Sequence, residues 1–289
     1  MDKNLVFVYG TLRKNEKNDF LLKDANLISE QSWTFGELFD TGRGYPMMKP
    51  TANKKVYGEV YEVSEKELAS LDQLENYEVG SKNNLYERVV QTIYTDRGEV
   101  QAFLYVSDRA CVKEITSGDW KIYQFLNKKS EKIYYYAYGS CMDVERFHKA
   151  GVGHFFEKVV GAGILYNYSM KYLYSTHDGG RADIVEQGGK TEGILYETPF
   201  EAVEYLFKRE GYYIGMYRAT FVDVTVNDKL YQDVLTFHVY DKKNEAAPPE
   251  HYATEILRGS RNRVSEDYYK NLVQQLKDLQ VPFGLNNWE

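Results

Sequence analysis

The sequence predicts an α+β protein made of two consecutive copies of one unit, each a small mixed sheet or barrel flanked by short helices. Three observations carry that prediction. An apolar run that breaks into a Tyr-Gly loop occurs twice, as Leu5–Arg13 (LVFVYGTLR) and as Ile133–Met142 (IYYYAYGSCM). Each run is followed by a Gly-x-x-Tyr-Glu strand, first Gly58–Glu62 and then Gly193–Glu197. A further glutamate stands 17 residues beyond each of those glycines, Glu75 and Glu210.

The elements follow in the same order in both halves. In the first, Leu5–Tyr9 reads as a strand, Gly42-Arg43-Gly44-Tyr45-Pro46 as a turn cluster and Val56–Val63 as an alternating strand. Ser64 with Glu67 three residues on forms a capping box for a helix carrying Leu68, Leu71, Leu74 and Glu75. Tyr86–Tyr94 and Val100–Val106 read as a strand pair around Asp96-Arg97-Gly98. The charged stretch Lys128–Lys132 is the expected linker, separating domains at 1–127 and 131–289. In the second half Val160–Tyr166 is taken as the counterpart of Gly36–Phe39, and Pro199 is placed in the first turn of a helix closed by Glu210-Gly211. Tyr217–Val226 and Asp233–Tyr240 are strands. Two tail helices follow, one from Pro248-Pro249-Glu250 to Gly259 and one capped by Ser265. Short, scattered helices among many strands argue against a doubly wound parallel sheet.

At 289 residues the chain is long enough for two cores, and 43% apolar with 27% charged residues is the composition of a globular protein. The 27 tyrosines suit half-buried strands and the walls of polar clefts. A net charge of −7 without a long basic run argues against a nucleic-acid partner. No run approaches the roughly 18 apolar residues of a membrane span, and Met1–Asn4 leads straight into a strand without signal-peptide architecture. A cytoplasmic location without membrane association is therefore expected. Two cysteines, Cys111 and Cys141, do not make a disulfide framework, and the five histidines have no metal-ligand spacing, so no metal site is expected. Asn167-Tyr168-Ser169 is an incidental sequon. Gly42-x-Gly44 lacks the rest of a dinucleotide fingerprint. Asp178-Gly179-Gly180-Arg181 reads as a turn whose arginine could reach a cleft.

Taken together, these motifs resemble the γ-glutamylcyclotransferase superfamily. Tyr9-Gly10-Thr11-Leu12-Arg13, Gly44-Tyr45-Pro46, Leu71–Glu75 and Tyr86-Glu87-Arg88 are similar to its AIG2-like type. Tyr138–Met142, Arg209-Glu210-Gly211, Gly215-Met216-Tyr217 and the helical tail from Pro248 are similar to the γ-glutamylcyclotransferase type proper. Cys141 departs from the family, which usually has Asn there. The first unit lacks the helical tail, which marks it as the more degenerate or differently selective copy. The resemblance implies two tandem mixed β-barrels with flanking helices, a cleft between loop and glutamate, and no cofactor. The substrate would be a γ-glutamyl amine, amino acid or peptide, cyclised to 5-oxoproline.

The residues suit that chemistry. A glutamate raised towards pKa ~6–7 by desolvation can take a proton from the attacking α-amine and return it to the leaving amine, a part assigned to Glu75 and Glu210. Loop N–H groups of Gly10, Thr11 and Leu12, and of Gly139, Ser140 and Cys141, can hold a carboxylate or oxyanion. Tyr9, Tyr86, Tyr138 and Tyr217 would line the clefts. Arg13 is expected as an exposed loop charge or, failing that, a partner for a substrate carboxylate. Cys141 is expected as a small packing residue. A binding or regulatory module that keeps the pocket without turnover, and an intermolecular transferase or hydrolase, remain alternatives. Oligomeric state is not legible, although the two copies suggest an intramolecular pseudo-dimer.

Overall fold

A computed structural model describes residues 4–109 and 113–281, so Cys111 lies outside the described residues. The chain divides into two compact units, Met1–Lys128 and Lys129–Glu289. The first contains β1 (Asn4–Val8), β2 (Asn26–Phe35), β3 (Glu37–Asp40), β4 (Pro46–Lys49), β5 (Lys55–Val63), α1 (Glu65–Leu74), β6 (Glu87–Thr95), β7 (Gly98–Val106), β8 (Lys113–Glu114) and α2 (Trp120–Lys128). Five of its strands close a barrel in the order β1-β5-β2-β6-β7, and a small sheet β4-β3-β8 stands beside it. The barrel is mixed, because β1 pairs antiparallel with β5 and parallel with β7.

The second unit contains β9 (Lys132–Ala137), α3 (Val144–Lys149), β10 (Val159–Tyr166), β11 (Ser169–Thr176), β12 (Gly179–Val185), β13 (Lys190–Pro199), α4 (Ala202–Arg209), β14 (Tyr217–Val226), β15 (Lys229–Val239), α5 (Glu250–Ser260) and α6 (Glu266–Asp278). Its barrel runs β9-β13-β10-β14-β15, which repeats the first order strand for strand. Among the described residues no helix is long and apolar enough to cross a membrane.

Strand β1 alternates between two cores. Phe7 and Tyr9 pack with Val56, Val60, Ile93 and Leu104, while Val6 and Val8 pack with Leu22, Tyr61, Leu68 and Leu71 beneath α1. A strand buried on both faces reads as an unbroken apolar run, which is why β1 was visible in the sequence. The repeated glycine has an equally direct cause. A Cβ on Gly58 would lie 2.3 Å from the Val8 carbonyl oxygen and 2.7 Å from the Phe7 ring. On Gly193 it would lie 2.4 Å from the Ala137 oxygen and 2.9 Å from the Tyr136 ring. Only glycine lets β5 and β13 approach the first strand of each barrel this closely.

Several expectations need correction. The counterpart of β10, which contains Val160–Tyr166, is β2; Gly36–Phe39 leads into the β3–β4 hairpin, whose counterpart is β11–β12. Pro199 is not in a helix but ends β13 opposite Lys132, a strand terminus where a missing N–H costs little. The first unit also closes with a helix, α2, which buries Trp120 and Ile122. The capping box of α1 forms as read, with Ser64 accepting from the Glu67 N–H. Ser265 caps α6 in the same way through the Tyr268 N–H.

Gly58→Ala is expected to cost about 1–3 kcal/mol, the usual range for overpacking, because the obstructing atom is backbone and cannot rotate away. A lowered urea midpoint for the first unit, followed by near-ultraviolet circular dichroism, would show it.

Candidate active site

Each first strand ends in a tyrosine whose hydroxyl is tied to the last strand of its own barrel. Tyr9 Oη donates to the Tyr105 carbonyl at 2.6 Å, and Tyr138 Oη to the Phe237 carbonyl at 2.6 Å. The loop then turns tightly: the Arg13 N–H donates to Gly10 O, and the Met142 N–H to Gly139 O, both at 3.0 Å. At the start of these turns the N–H groups of Gly10, Thr11 and Leu12, and of Gly139, Ser140 and Cys141, make no hydrogen bond to the described chain. Successive unengaged N–H groups make an anion cradle.

Opposite the loop, a Cβ on Gly10 would meet Pro46 at 2.7 Å, and one on Gly139 would meet Ala182 at 3.3 Å. The same two residues accept from the other site tyrosines. Tyr86 Oη donates to Pro46 O at 2.9 Å, and Tyr217 Oη to Ala182 O at 2.8 Å. The glutamates occupy matching caps. Glu75 ends α1 with its N–H on Leu71 O at 2.9 Å, and Glu210 ends α4 with its N–H on Leu206 O at 2.9 Å. The next residue is left-handed in both, Asn76 at φ 51° and Gly211 at φ 62°. Asparagine tolerates that conformation, so it stands in for the glycine stop signal.

The constant spacing to the glutamate follows from this geometry. Val8 pairs with Glu59, so β5 runs away from the loop for four residues, about 13 Å at strand rise. Helix α1 then doubles back over ten residues, about 15 Å. Glu75 thus returns level with the loop. In the second unit β13 runs further, to Pro199, and α4 is shorter, with the same net result.

All twelve residues singled out in the sequence fall on two clefts. Tyr9, Gly10, Thr11, Leu12, Glu75 and Tyr86 line one of about 230 Å³ in the first unit. Tyr138, Gly139, Ser140, Cys141, Glu210 and Tyr217 surround one of about 30 Å³ in the second, room for a single water molecule. The difference comes from what flanks each glutamate. Leu74, before Glu75, is exposed on the cleft wall. Its counterpart Arg209 folds inward, donating to Ser140 Oγ at 3.1 Å and Cys141 Sγ at 3.4 Å. From the tail, Tyr252 Oη accepts the Ala182 N–H at 3.2 Å and closes the space above Gly139.

The electrostatics differ accordingly. Among the described residues no donor or cation pairs with the Glu75 carboxylate, and desolvation alone raises it from 4.5 to about 7. Glu210 is also raised by burial, but Arg209 pulls against that shift and Cys141 Sγ lies 3.2 Å from its Oε1. Burial, reinforced by Glu210 and opposed by Arg209, pushes the Cys141 thiol up to about 11, so it is a neutral packing group near pH 7.

Arg13 is neither an exposed charge nor a substrate contact. It is 3% exposed, with Nε 3.0 Å from Glu59 and Nη1 2.8 Å from Asp119. Glu59 also accepts the Lys14 N–H and the Tyr61 hydroxyl, and Asp119 accepts the Ile122 N–H at the start of α2. The guanidinium therefore pins the far side of the Gly10 loop to β5 and α2. Arg181 lies in β12, paired with Asp178 and stacked over Tyr252, so the cleft expected of it is not reached. Sequence reasoning missed Arg209 and Tyr252; placing Leu74-Glu75 over Arg209-Glu210 was the one available signal for the former. Among the described residues no cluster of three or more His, Cys, Asp or Glu could hold a metal ion.

Two Tyr-Gly loops, each facing a glutamate across a five-stranded mixed barrel, define a class, and comparison with known proteins names it. The model for gamma-glutamyl cyclotransferase, AIG2-like, matches residues 6–122, and that for the AIG2-like family matches residues 190–272. The chain is 41% identical over 280 residues to the "Putative gamma-glutamylcyclotransferase YkqA" of Bacillus subtilis (strain 168), covering 96% of this chain and 98% of that protein. The chain therefore belongs to the γ-glutamylcyclotransferase family. The crystal structure of YkqA superposes with a TM-score of 0.89 over 98% of this chain and 100% of that one. A further relative, the gamma-L-glutamyl-butirosin B gamma-glutamyl cyclotransferase of Niallia circulans, is 40% identical over 120 residues, 41% of this chain and 76% of that protein.

Two outcomes follow. Arg13→Met, which copies the residue at the equivalent turn position of the second unit, leaves Glu59 and Asp119 buried without their cation. A loss of about 3–5 kcal/mol is expected in equilibrium unfolding. Glu75 is held protonated in the folded chain up to about pH 7 but ionises near 4.5 when unfolded, so folding stability falls as pH rises between those values. Glu75→Gln removes that loss, and its stability advantage over wild type should grow from pH 5 to pH 8 in urea titrations.

Proposed function

We propose that the protein cleaves a γ-glutamyl compound by intramolecular aminolysis, releasing 5-oxoproline and the amine, in the cleft of the first unit with Glu75 as general acid and base. One observation carries this reading: a half-buried glutamate, raised to about 7 by desolvation, on an open cleft shared with an unengaged N–H cradle. The names of the relatives support the reaction class.

In this reading the substrate's α-ammonium, pKa about 8, passes a proton to ionised Glu75. The amine nitrogen then attacks its own γ-carbonyl carbon, closing the five-membered ring, and negative charge develops on the carbonyl oxygen. The N–H groups of Gly10, Thr11 and Leu12 bind either that oxygen or the α-carboxylate. Glu75 returns its proton to the departing nitrogen as the original C–N bond breaks. The ring nitrogen gives up its second proton, by way of the freed carboxylate, to the released amine, which departs as an ammonium ion. One carboxyl group can relay both protons that the α-ammonium loses, and no net proton is consumed. Because the nucleophile is tethered, holding the chain folded supplies much of the acceleration.

A second reading applies to the second unit. Arg209 packed against Ser140 and Cys141, with Tyr252 above, favours a non-catalytic role there, structural or ligand-binding. An intermolecular hydrolase would yield glutamate in place of 5-oxoproline, so the product separates the two chemistries.

Mass-spectrometric assay of 5-oxoproline from a panel of γ-glutamyl compounds tests the proposal. Wild type should form it, Glu75→Gln should lose about 100-fold or more in kcat/KM, and Glu210→Gln should retain the activity. The wild-type rate should rise with pH through a limb near 7, as Glu75 ionises. Loss of activity in Glu210→Gln alone would move the working site to the second unit. Glutamate as the sole product would replace cyclisation by hydrolysis.

A further inference from the structure

The mouth of the first cleft carries two cations, and they have nothing to neutralise. Arg43 sits at the tip of the β3–β4 hairpin, exposed, between Gly42 at φ 71° and Gly44 at φ 83°. That tip is held in shape: Thr41 Oγ1 donates to Tyr45 O at 2.6 Å, and the Gly42 N–H donates to Asp40 Oδ1 at 2.8 Å. Lys17 lies on the segment after the Gly10 loop. Its neighbour Asn18 clamps that segment to the loop, through its N–H to Thr11 O at 2.8 Å and its side-chain amide to Thr11 Oγ1 at 2.9 Å. Both cations line the cleft, and neither has an ion pair or side-chain hydrogen bond among the described residues. The chain as a whole carries −7, and among the described residues Glu75 is the only acidic one lining this cleft. In the second unit, by contrast, Arg181 is taken up by Asp178 and Tyr252, and Arg209 by the loop itself.

The volume bounds the ligand too. At about 230 Å³ the cleft falls below the range of sites for drug-sized molecules, roughly 300–1,000 Å³. It suits an amino acid or dipeptide. Gly10 and Leu12 of the cradle are buried and Glu75 is half-buried, whereas Lys17 and Arg43 are exposed. With the cradle and Glu75 accounting for the glutamyl half, the exposed cations are left for whatever leaves.

Building on the cyclotransferase reading, we infer that Lys17 and Arg43 select a leaving group that carries its own carboxylate, so that the substrate is a γ-glutamyl amino acid or short γ-glutamyl peptide and not the adduct of a polyamine or an aminoglycoside. A carboxylate at the mouth meets two positive charges, one of them a planar guanidinium suited to bidentate contact. A cationic leaving group meets repulsion from the same pair, which makes the mouth selective in both directions.

The test compares γ-glutamylalanine with γ-glutamylalaninamide, which differ only in that carboxylate, together with mono-γ-glutamylputrescine. Wild type should favour the acid over the amide by about tenfold in kcat/KM, the scale of two exposed charge contacts, mainly through KM and less so at high salt. Lys17→Gln/Arg43→Gln should bring the acid-to-amide ratio towards one. Equal use of acid and amide by wild type, preference for the putrescine adduct, or an unchanged ratio in the double variant would overturn the inference. Calorimetric binding of acid and amide to Glu75→Gln separates the two levels. Tighter binding of the acid without any wild-type turnover upholds the selectivity and sinks the reaction, whereas equal binding, or none, sinks the selectivity.

Discussion

The close approach of two strand backbones at Gly58 and Gly193 governs the rest of each unit. Because β5 can press against Val8 O, and β13 against Ala137 O, the first strand is gripped on one side while its other edge pairs with the last strand. The barrel closes there, and the first strand must end where the grip ends. The Tyr-Gly loop is that ending. From the same glycine the chain runs outward as strand and back as helix, which returns a glutamate to the level of the loop. A larger residue at that point would separate the strands and misplace loop and carboxylate together.

On this duplicated frame the two sites have diverged by few changes. Leucine before Glu75 leaves a wall, whereas arginine before Glu210 fills the space and answers the charge. The loops are also braced differently. In the first unit a buried guanidinium between Glu59 and Asp119 holds the far side of the loop. In the second the equivalent position is Met142, fully buried, and α5 packs on the loop through Gly259, whose Cβ would stand 2.5 Å from the Asp143 N. Asp143 is then paired with Arg258. The packing of the tail accompanies the closed cleft, and the unit expected to be the more degenerate or differently selective copy holds the open one.

A raised carboxyl group and an arginine beside it are opposing devices. Burial without a partner keeps Glu75 near neutrality, ready to exchange a proton close to pH 7. Adding Arg209 stabilises the charged form of Glu210 and engages the hydroxyl and thiol of the loop. The same helix end can thus support proton transfer or only structure, depending on one neighbour.

The sequence alone determined the duplication, the strand carrying each loop, the capped helix and the twelve residues around the clefts. These are local signals: an apolar run buried on both faces, glycine where backbones touch, a capping box, a glycine stop after Glu210. It did not reveal the β11–β12 hairpin, α2 or the end of β13 at Pro199, because short polar strands and proline at an element boundary satisfy several local conformations equally well. Nor could it say that Arg13 is buried, since its partners Glu59 and Asp119 are 46 and 106 residues away. Which cleft is open was decided only by tertiary structure. A side chain of the length of Arg209 can reach solvent or fold inward, and the hydroxyl and thiol that draw it in belong to a loop nearly 70 residues earlier.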